Sequence, residues 1–368
     1  MTTRRNMLKG GLFAGCSGLV PGAGLCAVPD RSDAPESPYV GVVVDHERLR
    51  GVEDVHLVGD LAYLPCREGQ RLTVVSVQDP TRPVILGTFT HPELDQVAGF
   101  ALDGTTAFLG SHHNHTLMTV DVSDPANMKF LGKVQLGPED GPKGIYKVAY
   151  RDGYCYVALN QSKSLYVVDV RDRRNPAVAG NVQVTTEDDG AFGVYLRGRH
   201  ALVGTVFGRN NRLAVVDISD PGKPRLISSL VHPAISQAMG QFAGNRFVTA
   251  SWERHAVVVY DVSDPASPLI EGVLVDERLG NPNRLAISGD FACMPDSVGH
   301  GIALADISDP GKPRFAAKFV DPVILKKAYG IAARGDLVFV GAREGNSLSV
   351  LDRHKLLRVA RAGNAAIQ

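Results

Sequence analysis

TVDVSDPANMKFLG, residues 119–132, is a phrase that this chain repeats along its length. It returns as VVSVQDPTRPVILG from Val74, VVDVRDRRNPAVAG from Val167, VVDISDPGKPRLIS from Val215, VYDVSDPASPLIEG from Val259 and LADISDPGKPRFAA from Leu304. A degenerate last copy, SVLDRHKLLRVA, starts at Ser349. The first Asp of each copy falls at Asp121, Asp169, Asp217, Asp261, Asp306 and Asp352, with Ser76 in its place in the first copy; successive spacings are 45, 48, 48, 44, 45 and 46 residues. A repeat of this length builds a solenoid or a propeller.

Inside each unit the pattern resolves into four short strands. In the second unit, strand a covers residues 99–102, strand b 106–110, strand c 117–122 and strand d 129–134. Asp103-Gly104 makes the a–b hairpin turn, as do Gly59-Asp60, Asp152-Gly153, Gly289-Asp290 and Gly335-Asp336 elsewhere. Ser123-Asp124-Pro125 is the c–d turn, because Ser and Asp bond back to their own backbone and Pro presets φ. No unit reads as a helix longer than a turn. Four antiparallel strands repeated seven times predict an all-β, seven-bladed β-propeller. An open ring would leave sheet edges bare. Tyr39-Val40-Gly41-Val42-Val43-Val44 reads as a strand d without a blade, and placed outermost on the seventh blade it closes the ring. Residues 356–360 compete for that slot, and the N-terminal segment is preferred. The organisation expected is a signal peptide over 1–27, a linker over 28–38, the propeller over 39–360 and a tail over 361–368.

The residues DVSDP, DISDP and VVDIS resemble the LVIVD-repeat family, whose name spells strand c. The resemblance runs along essentially all of the mature chain. It implies an exported seven-bladed propeller and no particular reaction.

Composition narrows the partners. Lys plus Arg number 39 and Asp plus Glu 39, so the formal charge is zero, and nucleic acid loses its electrostatic case as a partner. Hydrophobic residues make up 44%, enough to bury a core, and Gly 39 with Pro 22 suits many short elements joined by turns. No stretch of the mature chain approaches the roughly 18 apolar residues of a membrane span. Arg4-Arg5, followed by a Gly/Ala/Leu-rich run to Ala27, resembles a twin-arginine export signal and predicts a periplasmic or otherwise exported protein. Cys16 reads less well as a lipid anchor, since the apolar run before it is short. Outside the signal, Cys66, Cys155 and Cys293 are odd in number and widely spaced, and they read as small core residues rather than a disulfide or zinc framework.

In a propeller, strand a lines the central channel, and the d–a and b–c loops share one face. Aligning the units puts Glu53, Ala98, Tyr146, Phe192, Met239, Asn283 and Tyr329 at one level of strand a. The ends of strand b contribute Arg67, His112, Asn160, Val206, Trp252, Ser297 and Arg343. Gln96 and Gln237 face the channel from the loops leading into blades 2 and 5. Seven unlike residues at an equivalent position mark a candidate pocket, because core positions of the same units stay aliphatic. The candidate rim is therefore Glu53, Arg67, Gln96, His112, Tyr146, Asn160, Gln237, Trp252, Asn283, Tyr329 and Arg343. Arg forks grip carboxylates and Trp supplies an apolar plate, which suits a flat or sugar-like ligand bearing a carboxylate.

Seven of the eleven His map to this face. His115, His255 and His300 each stand six residues before their strand-c Asp, so they are spread around the ring and cannot share an ion. His91, His112, His113 and His115 are the alternative candidates for a divalent metal. Six recurrent strand-c aspartates imitate a catalytic ring, but recurrence follows the structure and predicts turn-bonding roles. No phosphate loop, nucleophile elbow or HExxH helix occurs. The preferred reading is a monomeric scaffold that binds a protein, small molecule or glycan at the top-face pocket. The alternative is a periplasmic enzyme, a lyase or oxidoreductase, working with metal at the same place; fold analogy alone suggests it.

Overall fold

The computed structural model describes residues 37–137, 144–236 and 239–365; the expected signal peptide, nearly all of the linker and Gln237 lie outside them. Among the described residues, twenty-eight strands form seven separate four-stranded antiparallel sheets. Blade 1 is His56–Val58, Leu61–Cys66, Arg71–Ser76 and Val84–Thr90, in that spatial order, and blades 2 to 6 repeat it. Blade 7 takes its first three strands, Ala328–Arg334, Leu337–Ala342 and Ser347–Asp352, from the end of the chain and its fourth, Tyr39–Val44, from the beginning. The N-terminal strand therefore closes the ring, with Gly41 opposite Val350 and Val44 opposite Ser347.

The competing segment behaves otherwise. Residues 353–365 form the helix Arg353–Ala365, where no helix longer than a turn was expected. The seventh copy lacks the Pro that would turn the chain, and Leu, Arg and Ala that follow are good helix formers. Asp352, the strand-c Asp of this copy, accepts the Lys355 amide at 2.8 Å as a helix N-cap. Leu356 is fully buried, and the helix packs on strand d of blade 6.

Hydrophobic packing is layered between neighbouring blades. Tyr63, Leu72 and Val74 of blade 1 meet Phe100, Leu109 and Met118 of blade 2, while Phe339, Leu348 and Val350 of blade 7 meet Leu64 and Val75 of blade 1 across the closure. Cys66, Cys155 and Cys293 are buried free thiols in these layers, and burial pushes Cys66 and Cys293 up to about 12. The aspartates act locally, as expected. Asp121 Oδ1 accepts the Ser123 amide at 2.9 Å and Asp124 Oδ1 the Ala126 amide at 3.0 Å, and blades 3 to 6 repeat the pair. No helix among the described residues is long and apolar enough to cross a membrane.

Candidate functional site

Strand a is irregular where the candidates sit. In blades 2, 3, 4 and 7 the a–b register shifts between Val97 and Gly99, Ile145 and Lys147, Ala191 and Gly193, and Ala328 and Gly330. The residues skipped are Ala98, Tyr146, Phe192 and Tyr329. A bulge takes one residue out of the ladder and re-aims it. In blades 1 and 6 the ladder breaks altogether, with single bridges Val52–Cys66 and Pro282–Asp296 preceding strands that resume at His56 and Ala286. Glu53 and Asn283 fall in those gaps. Six of the seven unlike residues thus sit at backbone defects, and Met239 of blade 5 pairs regularly with Ala250.

Seven candidates gather at one place, with the fully buried Glu53 at their centre. Its carboxylate pairs with Arg343 and, at 3.2 Å, with Arg284. The Arg343 guanidinium lies 3.5 Å from the centre of the Tyr329 ring and the Arg284 guanidinium 4.7 Å from it. Arg67 Nε donates to Gln96 Oε1 at 2.8 Å. The His112 ring stands edge-on to Tyr146 at 4.6 Å, and Tyr146 leans on Phe192 at 4.2 Å. Burial and the Arg67 guanidinium pull the His112 imidazole down to about 4, so it is neutral at pH 7. Burial would raise the Glu53 carboxyl, but Arg343, Arg284 and Arg67 outweigh it and hold it below the usual range.

Of the three remaining described candidates, Asn160 and Asn283 brace the fold. Asn160 donates to the Ala191 carbonyl at 3.3 Å and braces blade 3 against blade 4. Asn283 Nδ2 donates to Ser297 Oγ at 3.0 Å within its own blade. Trp252 opens a one-turn 3-10 helix, Trp252–Arg254, and its indole Nε1 is buried without a partner.

The four metal candidates diverge. His91 Nδ1 accepts the Glu93 amide at 3.2 Å, and the ring stacks on Phe130 of outer strand d at 4.8 Å. His113 Nδ1 lies 3.4 Å from Asp95, and His115 Nε2 3.0 Å from Gln135 Nε2. Among the described residues no three His, Cys, Asp or Glu side chains are placed to share an ion. The His115, His255 and His300 equivalence has a backbone cause: each is left-handed, and with Gln70, Lys163 and Asn346 at the same step of other blades their φ angles run from 43° to 57°. The carbonyls of His115, His255 and His300 then accept amides from the start of the next loop.

Sequence reasoning missed the next register. One residue after the aligned column stand Asp54, Gly99, Lys147, Gly193, Gly240, Arg284 and Gly330: four glycines and three charges. The three charges meet, with Arg284 Nε 3.3 Å and Lys147 Nζ 3.5 Å from Asp54 Oδ2, and His56 Nε2 3.2 Å from the same oxygen. Burial opposes the Asp54 charge, yet Arg284 and Lys147 hold its carboxyl well below the usual range. Charge in a column otherwise given to Gly was the available signal.

Against known proteins, the family model described as LVIVD repeat matches residues 107–135, 146–184, 193–231 and 279–321. No curated protein matches the chain in sequence. Among solved structures, the Cps50 (Swd1) β-propeller domain of Myceliophteria thermophila has a TM-score of 0.65 at 12% identity, covering 84% of this chain and 99% of its own. Hydrazine synthase of Kuenenia stuttgartiensis has a TM-score of 0.63 at 15% identity, covering 84% and 97%. BamB of Moraxella catarrhalis has a TM-score of 0.55 at 11% identity, covering 82% and 84%. At such identities these similarities establish the fold and nothing about chemistry.

Proposed function

We propose, for a chain that carries LVIVD repeats and closes them into a seven-bladed β-propeller, that it is an exported binding protein whose ligand sits at the channel mouth formed by the d–a and b–c loops. One observation carries this reading: His112 Nδ1, Trp252 Nε1 and Arg343 Nε, all from candidate rim residues, are buried without a hydrogen-bond partner. Buried polar atoms of this kind normally find partners, and a ligand that offers acceptors supplies them. Arg67 and Arg343 favour a carboxylate, and Trp252 with Tyr146 favours a flat or sugar-like body.

The chain has one tryptophan, so its emission reports this rim alone. Titration with glucuronate is expected to change Trp252 fluorescence saturably, glucose to act at least tenfold more weakly, and Arg67→Met to weaken glucuronate by a similar factor. Equal responses to both sugars, or no response to either, would remove the carboxylate-binding reading. Export rests on Arg4-Arg5 and the run that follows; replacing both arginines by Lys is expected to strand the protein in the cytoplasm, as cell fractionation reads directly.

A further inference from the structure

Beside the charge cluster the channel widens into a cavity of about 410 Å³, and none of the described rim candidates lines it. One end is charged, formed by Asp54, His56, Lys147 and Arg284. Aliphatic side chains, Leu57, Leu102, Leu285 and Ile331 among them, form part of its otherwise polar wall, and Val58, 47% exposed, stands where strand a runs into the Gly59-Asp60 hairpin. This cavity therefore faces away from the rim, toward the a–b hairpins.

Its charges do not balance. Two cations, Arg284 and Lys147, line it against one carboxylate, Asp54. Arg284 is 4% exposed, and Nη1 has no hydrogen-bond partner although Nη2 reaches Glu53. Lys147 Nζ stands 3.5 Å from Asp54, too far for a strong hydrogen bond, so its donors remain largely unclaimed. Leaving a buried guanidinium donor unmet is costly, and an anion between the two cations removes that cost. A phosphate-sized ion would leave the aliphatic walls bare, whereas a longer molecule would cover them.

We propose that this cavity binds a small organic carboxylate with an apolar body, its carboxylate seated on Arg284 Nη1 and Lys147 Nζ and its body along Leu57, Leu102, Leu285 and Ile331. The site shares Arg284 with the rim cluster, through its contact with Glu53, but its ligand lies on the other side of that contact, so the proposal stands whether or not the rim takes a sugar.

Isothermal titration of the full chain with octanoate, octan-1-ol and inorganic phosphate tests it. Octanoate is expected to bind one to one, with the alcohol and phosphate at least tenfold weaker. Lys147→Met, which removes a cation, and Ala333→Phe, which fills the wall, are each expected to weaken octanoate tenfold or more, while Val84→Ala, exposed on an outer strand, leaves octanoate binding unchanged. Arg284→Met strands Glu53 and Asp54 and is expected to fold poorly, so Lys147 carries the test, with circular dichroism checking its fold. Octanol matching octanoate, phosphate matching octanoate, an unchanged Lys147→Met, or no binding at millimolar octanoate would each overturn the proposal.

Discussion

Glu53 is held between two guanidiniums that are themselves stacked on one tyrosine ring, so its loss would leave Arg343 without its carboxylate and Arg284 with Asp54 alone. Breaking one partner out of a buried ion network costs about 3–5 kcal/mol. Glu53→Ala is therefore expected to lower unfolding stability by that amount in denaturant melts, and Glu53→Gln by less, since the amide keeps an acceptor. Acid should act through the same residues. Glu53 and Asp54 are both depressed below their ordinary 4.5 and 3.8, so the stability they supply is complete above those values and lost as pH falls through the lower folded ones. His112, at about 4 against an ordinary 6.5, acts earlier with the same sign: the unfolded imidazole takes a proton below 6.5 that the folded one refuses. Burial depresses His56 in the same direction. Melting temperature should therefore drop between pH 6.5 and 4, and His112→Gln should flatten that drop. An unaltered slope in the variant would count against the buried, neutral imidazole.

Between elements, the last residue of each repeated phrase does a job its own blade does not explain. A side chain on Gly87 of strand d would overlap the Pro125 carbonyl oxygen in the c–d turn of blade 2, and one on Gly41 would overlap that of Pro80 in blade 1. The N-terminal strand thus meets its neighbour as an ordinary strand d does. Where Ser228 stands at this position, its hydroxyl bonds the Ala266 carbonyl at 2.7 Å instead. Gly87→Val is expected to cost about 1–3 kcal/mol or more by overpacking against backbone that cannot move aside, and Ser228→Gly about 1 kcal/mol for one lost hydrogen bond; paired denaturant melts distinguish them. The strands, hairpins and Asx turns were legible in the sequence because each is specified within a few residues. The helix Arg353–Ala365 was not, because a hydrophobic run of Leu356, Leu357 and Val359 suits either element, and the strand slot was already taken by a segment more than three hundred residues earlier.

At the scale of the molecule, closure by Tyr39–Val44 makes the ring depend on its first strand. Deleting residues through Val44 bares the edge of Ser347–Asp352, and exposed edges invite pairing between chains. The truncated protein is expected to melt lower and to run as concentration-dependent aggregates in size-exclusion chromatography, while one that stays monomeric with an unchanged melt would show that the closing strand is dispensable. Seven copies of one phrase, with alternating apolar residues and turns built from Asp, Ser, Gly and Pro, determined the blades, their number and which strand lines the axis, because all of that is local chemistry repeated. They also pointed to Glu53, Tyr146, Tyr329 and Arg343 through their departure from the repeat. Only the tertiary structure decided that Glu53 and Arg284 touch from 231 positions apart, that the rim histidines diverge, and that a cavity lies beside the charges. Contacts across the axis join residues from different blades, and no short-range pattern records which of seven spokes will face one another.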